Sequence, residues 1–116
     1  MSNLTELQTT EELDLLKEKS RDKAQIIFKH STRCMTSRMA LNRIDNKENT
    51  ALDADFYILN IIRKRDISNN VVKEFGVIHE SPQLLIIKDG KCVYDESHSA
   101  IQLEEIENAV SELNEQ

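Results

Sequence analysis

Glycine appears only twice in these 116 residues, cysteine twice and proline once. With so little glycine there is no Gly-rich elbow to present a nucleophilic serine, so a serine-type triad has no support. The two cysteines, Cys34 and Cys92, form no Cys-x-x-Cys pair, and His30, His79 and His98 are scattered without ligand spacing. No metal site is therefore expected. A run of 18 or more apolar residues is also missing, which argues against a membrane-spanning helix. The opening, MSNLTELQTTEELD, has acids where a secretory signal would have a basic patch and an apolar stretch. The expected location is the cytoplasm, where free thiols are expected rather than a Cys34 to Cys92 bridge. Net positive charge is lacking too. At −6 the chain is poorly suited to a general electrostatic grip on nucleic acid or an anionic membrane surface, so neither is an expected partner.

What is present is ordinary globular usage, 31% charged and 39% hydrophobic, at a length that suits one domain spanning residues 1–116. There is no repeat and no low-complexity linker. Thr9, Glu12, Leu13 and Leu16 read as a capping box opening a helix that runs to about Ser20. AQIIFKH (24–30) is short and isoleucine-rich, which predicts a buried strand. A helix begins near Cys34, with Ala40, Leu41 and Ile44 on one face. DFYILNII (55–62) predicts a second buried strand. SNNVVKEFG (68–76) reads as a short helix with Ser68 as N-cap and Gly76 as its stop. QLLIIKDGKCVY (83–94) predicts two strands joined by a tight hairpin at Asp89-Gly90, with Cys92 and Tyr94 on one face. Ser99 and Gln102 match a second capping box, ahead of a last helix with Ile106, Ala109, Val110 and Leu113 on its buried stripe. The strand-helix-strand unit makes the first two strands parallel, and the hairpin makes the last two antiparallel. The expected fold class is therefore α/β, with a four-stranded mixed sheet and helices on both faces.

The charge that is present is unevenly placed. From Lys23 to Ile44 there are five Lys or Arg and no acid, so the remainder carries −11, and the basic stretch is centred on Cys34 in STRCMTSRMA (31–40). A free thiol is only a few per cent ionised at neutral pH, so a nucleophilic cysteine needs surroundings that favour its thiolate. Unpaired backbone N–H groups at a helix start supply one such influence and Arg33 another, with Lys29, His30 and Arg38 farther off. Cys34 is thus a candidate nucleophile, although a small buried cysteine at a solvated helix start would look the same in sequence. Cys92, on a strand with Lys91 as its only adjacent charge, reads as a packing residue. Pro82 reads, by itself, as a tolerated residue at a strand's start.

Taken together, FKHSTRC (28–34), MALNR (39–43), FGVIHESPQ (75–83) and SHS (97–99) resemble the monothiol bacilliredoxin family, also called YtxJ-like, within the thioredoxin-like fold. The resemblance covers nearly the whole chain. It implies removal of bacillithiol from S-bacillithiolated client proteins, with Cys34 as the nucleophile and a Cys34-S-S-bacillithiol intermediate. No bound cofactor is implied; bacillithiol serves as a low-molecular-weight thiol co-substrate, and a second bacillithiol or a disulfide reductase regenerates the thiol. It also implies that Pro82 is a cis-proline and that Ser81 offers backbone hydrogen bonds to an extended substrate. Bacillithiol carries a malate group, so Thr32, Arg33 and neighbouring backbone N–H groups are candidates to hold its carboxylates. Serine at position 37, where a second cysteine would resolve a mixed disulfide internally, leaves the intermediate to an external thiol. One departure is Met35, where the family usually has proline directly after the cysteine; methionine restores a backbone N–H there.

Two other readings remain at this stage. Cys34-Met-Thr-Ser37 has the Cys-x-x-Ser outline of monothiol glutaredoxin-like proteins, which use another small thiol or bind an iron–sulfur cluster. A thioredoxin-fold adaptor or stress protein that docks partners without turnover would instead have an unreactive Cys34.

Overall fold

The computed structural model describes residues 4–45 and 52–114. Its elements run in the order β1 (Leu4–Glu6), α1 (Thr10–Lys19), β2 (Ala24–His30), α2 (Met35–Ile44), β3 (Ala54–Asn60), α3 (Arg65–Phe75), β4 (Gln83–Lys88), β5 (Lys91–Ser97) and α4 (Leu103–Asn114). The strands form one sheet in the order β1-β3-β2-β4-β5. β2 and β3 are parallel, as are β1 and β3, whereas β4 runs antiparallel to β2 and to β5.

The mixed sheet has five strands among the described residues, not the expected four. The additional strand, β1, is three residues of Leu-Thr-Glu at the sheet edge, too short and too polar to show a period. It is held by pairing with Phe56, Tyr57 and Ile58 of β3, and Leu7 continues the contact by donating its N–H to the Ile58 carbonyl.

Both sheet faces are covered, and the side chains of β2 and β4 alternate between the covers. Ile26, Phe28, Leu84 and Ile86 pack with Ala40 and Ile44 of α2 and Ile106 and Val110 of α4. Ile27, Leu85 and Ile87 pack with Leu13 and Leu16 of α1 and Ile67 and Val71 of α3. This explains the unbroken apolar runs: every residue of β2 is buried, because water meets neither face. Each fully buried Ile, Leu or Phe contributes about 1.5–3 kcal/mol.

Local signals account for most boundaries. Thr9 Oγ1 accepts the N–H of Glu12, whose carboxylate accepts the N–H of Thr9, completing the expected capping box of α1. Gly76, at φ +67°, ends α3 in the left-handed conformation and donates to the Val72 carbonyl. At the hairpin, Asp89 and Gly90 both have positive φ, as a type I′ turn requires. The turn docks on the end of α1, where the Ser20 carbonyl accepts from Asp89 and Ser20 Oγ accepts from Gly90.

Three local expectations are corrected. α3 begins at Arg65, not at a Ser68 cap; Ser68 is buried within the helix and donates its N–H to the Lys64 carbonyl. The Asn60 side chain turns the chain out of β3 by accepting from Ile62 and Arg63, so the helix starts in a charged segment with no cap residue to announce it. Ser99 lies in a 3-10 turn over His98–Ala100 and α4 starts at Leu103; Gln102 donates to the Ser99 carbonyl instead of completing a capping box. Cys92 and Tyr94 lie on opposite faces. A bulge pairs Ile86 with Tyr94 but Ile87 with Cys92, so Tyr94 packs on the α2/α4 side and Cys92 on the α1/α3 side.

Candidate active site around Cys34

Cys34 stands where β2 gives way to α2. It is the N-cap of α2, in extended conformation, and no side chain caps the helix. The first backbone N–H groups of the helix therefore stay available beside the thiol. Its carbonyl accepts from Arg38, and its N–H donates to Ser31. The residue is half-buried, while Thr32 and Arg33 before it and Met35 after it are exposed. No acidic residue occupies the first turn of α2. The Arg38 guanidinium extends back along the helix, with Nη2 3.8 Å from the Met35 sulfur.

Ser81 and Pro82 reach this junction across the sheet. Lys29 of β2 pairs with Gln83, the first residue of β4, so Ser81 and Pro82, which lead into β4, lie at the C-terminal end of β2. The Ser81-Pro82 bond is cis. Pro82 is buried and its carbonyl accepts from the His98 N–H, while Ser81 Oγ is buried with no hydrogen-bond partner. The fold thus gathers Thr32, Arg33, Cys34, Ser81 and Pro82 at the C-terminal end of β2. A cavity of about 510 Å³ lies between α1, β1 and β3 and is lined by none of them.

Ser37 is not an idle spacer. It is fully buried, and its Oγ accepts the N–H of Ser31 at 3.0 Å and meets Nδ1 of His30 at 2.7 Å. Burial, and secondarily the Arg38 charge, lower the His30 pKa, favouring a neutral ring that can accept the Ser37 hydroxyl proton. His30 also stacks on Phe28, with ring centroids 5.7 Å apart. The turn carrying Cys34 is thereby tied to the end of the strand behind it. Sequence reasoning saw Ser37 only as a missing cysteine, because its partners are brought to it by the packing of α2 on the sheet.

A second polar pair also escaped the sequence reading. Lys29, the penultimate residue of β2, is fully buried, and its Nζ lies 3.2 Å from Nδ1 of His79. A lysine inside an isoleucine-rich strand was the available signal.

Cys92 is remote from this junction. It pairs with Ile87, and Ile87 with Gln25, five residues back along β2 from His30, or roughly 17 Å at about 3.3 Å per residue. Burial pushes its thiol pKa up, and the thiol donates to the Tyr94 carbonyl at 3.3 Å.

A parallel core strand leading to a helix N-terminus, with a cis-proline on the neighbouring antiparallel strand, defines a thioredoxin-fold protein. A solved structure described, provisionally, as an oxidoreductase with a thioredoxin fold matches with a TM-score of 0.81 at 26% identity, over 91% of this chain and 92% of that one. Thioredoxin from Trypanosoma brucei brucei matches with a TM-score of 0.77 at 9% identity, covering 97% of this chain and 92% of that one. Thioredoxin NaTrxh from Nicotiana alata gives 0.73 at 21% identity, covering 96% and 92%. The family model described as Monothiol bacilliredoxin BrxC matches residues 5–106, and the chain belongs to that family. It is a thiol-disulfide redox protein of thioredoxin fold.

Proposed function

We propose that the chain removes bacillithiol from S-bacillithiolated cytoplasmic proteins, with Cys34 as its nucleophile. The Cys34 thiolate attacks the bacillithiol sulfur of a client-S-S-bacillithiol bond. The client leaves as its thiolate and Cys34 becomes the mixed disulfide, with no net oxidation or reduction in this step. A second bacillithiol, or a disulfide reductase, attacks that disulfide. Where bacillithiol is the attacker, oxidised bacillithiol leaves, the thiol's proton goes to solvent and Cys34 is restored as thiolate.

The observation that carries this reading is the placement of a half-buried Cys34 at an uncapped helix N-terminus, with the cis-proline strand across from it. Family membership supports the bacillithiol assignment. Ser81 presents backbone hydrogen-bonding groups to an extended client, and exposed Thr32 and Arg33 are positioned before the thiol to meet carboxylates of the small thiol. The exposed apolar side chains of Met35, Met39 and Ile78 suit a protein substrate better than a small molecule alone.

Mass spectrometry after mixing with a bacillithiolated protein provides the test. The wild-type chain should gain one bacillithiol on Cys34 and free the client, and Cys34→Ala should do neither. Transfer that persists in Cys34→Ala removes the proposal.

A further inference from the structure

Among the described residues, Lys29 is the one Lys, Arg, Asp or Glu that is buried, and it forms no ion pair there. Its hydrogen-bond partner is the His79 ring. A lysine ammonium can only donate, so Nδ1 of His79 accepts and the ring proton resides on Nε2, on the far side of the ring from Lys29. Burial, then the Lys29 charge, lower the His79 pKa, with Arg65 acting the same way and Glu80 opposing them. The ring therefore stays neutral beside the ammonium. His79 is exposed and lies three residues before the cis-proline, on the segment that leads into the site. The nearest acid in sequence, Glu80, is turned to His98, with 3.5 Å between Oε1 and Nε2.

The result is a single outward N–H donor of fixed tautomer, polarised from behind by a buried positive charge, with the Arg65 charge close by. Such a group favours an anion over a neutral acceptor. We propose that Lys29 and His79 form a carboxylate-binding subsite beside the cis-proline, in which the His79 Nε2–H donates to a carboxylate of the disulfide substrate and Lys29 supplies the countercharge. The subsite rests on the disulfide-exchange reading above. Its carboxylate comes either from the small thiol or from an acidic side chain of the client.

Three mixed disulfides separate these sources: a neutral peptide joined to 2-mercaptosuccinate, the same peptide joined to 2-mercaptoethanol, and a Glu-containing peptide joined to 2-mercaptoethanol. In Lys29→Met and His79→Phe, kcat/KM for a carboxylate-bearing substrate should fall about tenfold relative to the neutral one, mainly through KM. His79→Gln, which keeps an N–H donor, should recover most of the preference. Selective loss on the mercaptosuccinate disulfide assigns the carboxylate to the small thiol, and selective loss on the Glu peptide assigns it to the client. An unchanged ratio in both Lys29→Met and His79→Phe overturns the subsite.

If the wild-type chain exchanges none of the three, the exchange reading fails, and the subsite is judged by binding alone. Cys34→Ser titrated with succinate should show saturable shifts of the His79 ring nitrogens by NMR, lost when Lys29→Met is added. A flat titration in that case overturns the subsite as well.

Discussion

Lys29 is the residue whose burial is hardest to justify by stability. Desolvation lowers its pKa from the ordinary 10.5 to about 8. That difference corresponds to about 3 kcal/mol of preference for the neutral amine. At pH 7 the amine is protonated in both folded and unfolded chains, so the folded state bears the full cost. As pH rises from about 8 towards 10.5 the folded chain holds a neutral amine while the unfolded chain keeps its proton, and the cost disappears. Lys29→Met should therefore raise the unfolding free energy at pH 7 by up to about 3 kcal/mol in urea titrations, and the gap to wild type should shrink at pH 10. A destabilised Lys29→Met at pH 7 would mean that the His79 contact outweighs desolvation. Gained stability with a lost substrate preference would mark Lys29 as a group that the fold carries for binding.

At the scale of elements, the joint between β2 and α2 decides where the thiol sits. Ser37 Oγ satisfies the Ser31 N–H and meets the His30 ring, joining the first turn of α2 to the last residue of β2 and to the turn between them. Ser37→Ala leaves both partners without that oxygen in a buried setting, and should cost about 1–3 kcal/mol in a denaturant titration. A loss below about 0.5 kcal/mol would show that the joint is held by apolar packing alone. Much of the element pattern was legible in the sequence. β2 matched its expected span of 24–30, the cap of α1 and the Asp89-Gly90 turn followed from side-chain chemistry, and Cys34 fell at a helix start. The start of α3 and the edge strand β1 were not legible. One is set by an Asn60 side chain closing a turn, the other by pairing with a strand about 50 residues away in sequence.

Across the whole molecule, the sheet register keeps the two sulfurs apart. Cys92 is near the hairpin end and Cys34 beyond the opposite end of β2, so internal resolution of a Cys34 mixed disulfide by Cys92 would require the sheet to open. Cys92→Ser should accept bacillithiol on Cys34 and release client at the wild-type rate, as followed by mass spectrometry over time. An intramolecular disulfide trapped in the wild-type chain and absent from Cys92→Ser would contradict this separation.

The sequence by itself determined the α/β class, the covered sheet and the thiol at a helix start, because these follow from apolar periodicity, capping residues and turn residues that act within a few positions of one another. It also carried the motifs that mark the family. Tertiary structure alone decided the fifth strand, the bulge that separates Cys92 from Tyr94, the burial of Ser37 against His30 and the meeting of Lys29 with His79. Each of these depends on which distant segment the sheet brings alongside, and neither hydrophobic period nor local hydrogen-bonding preference encodes that pairing.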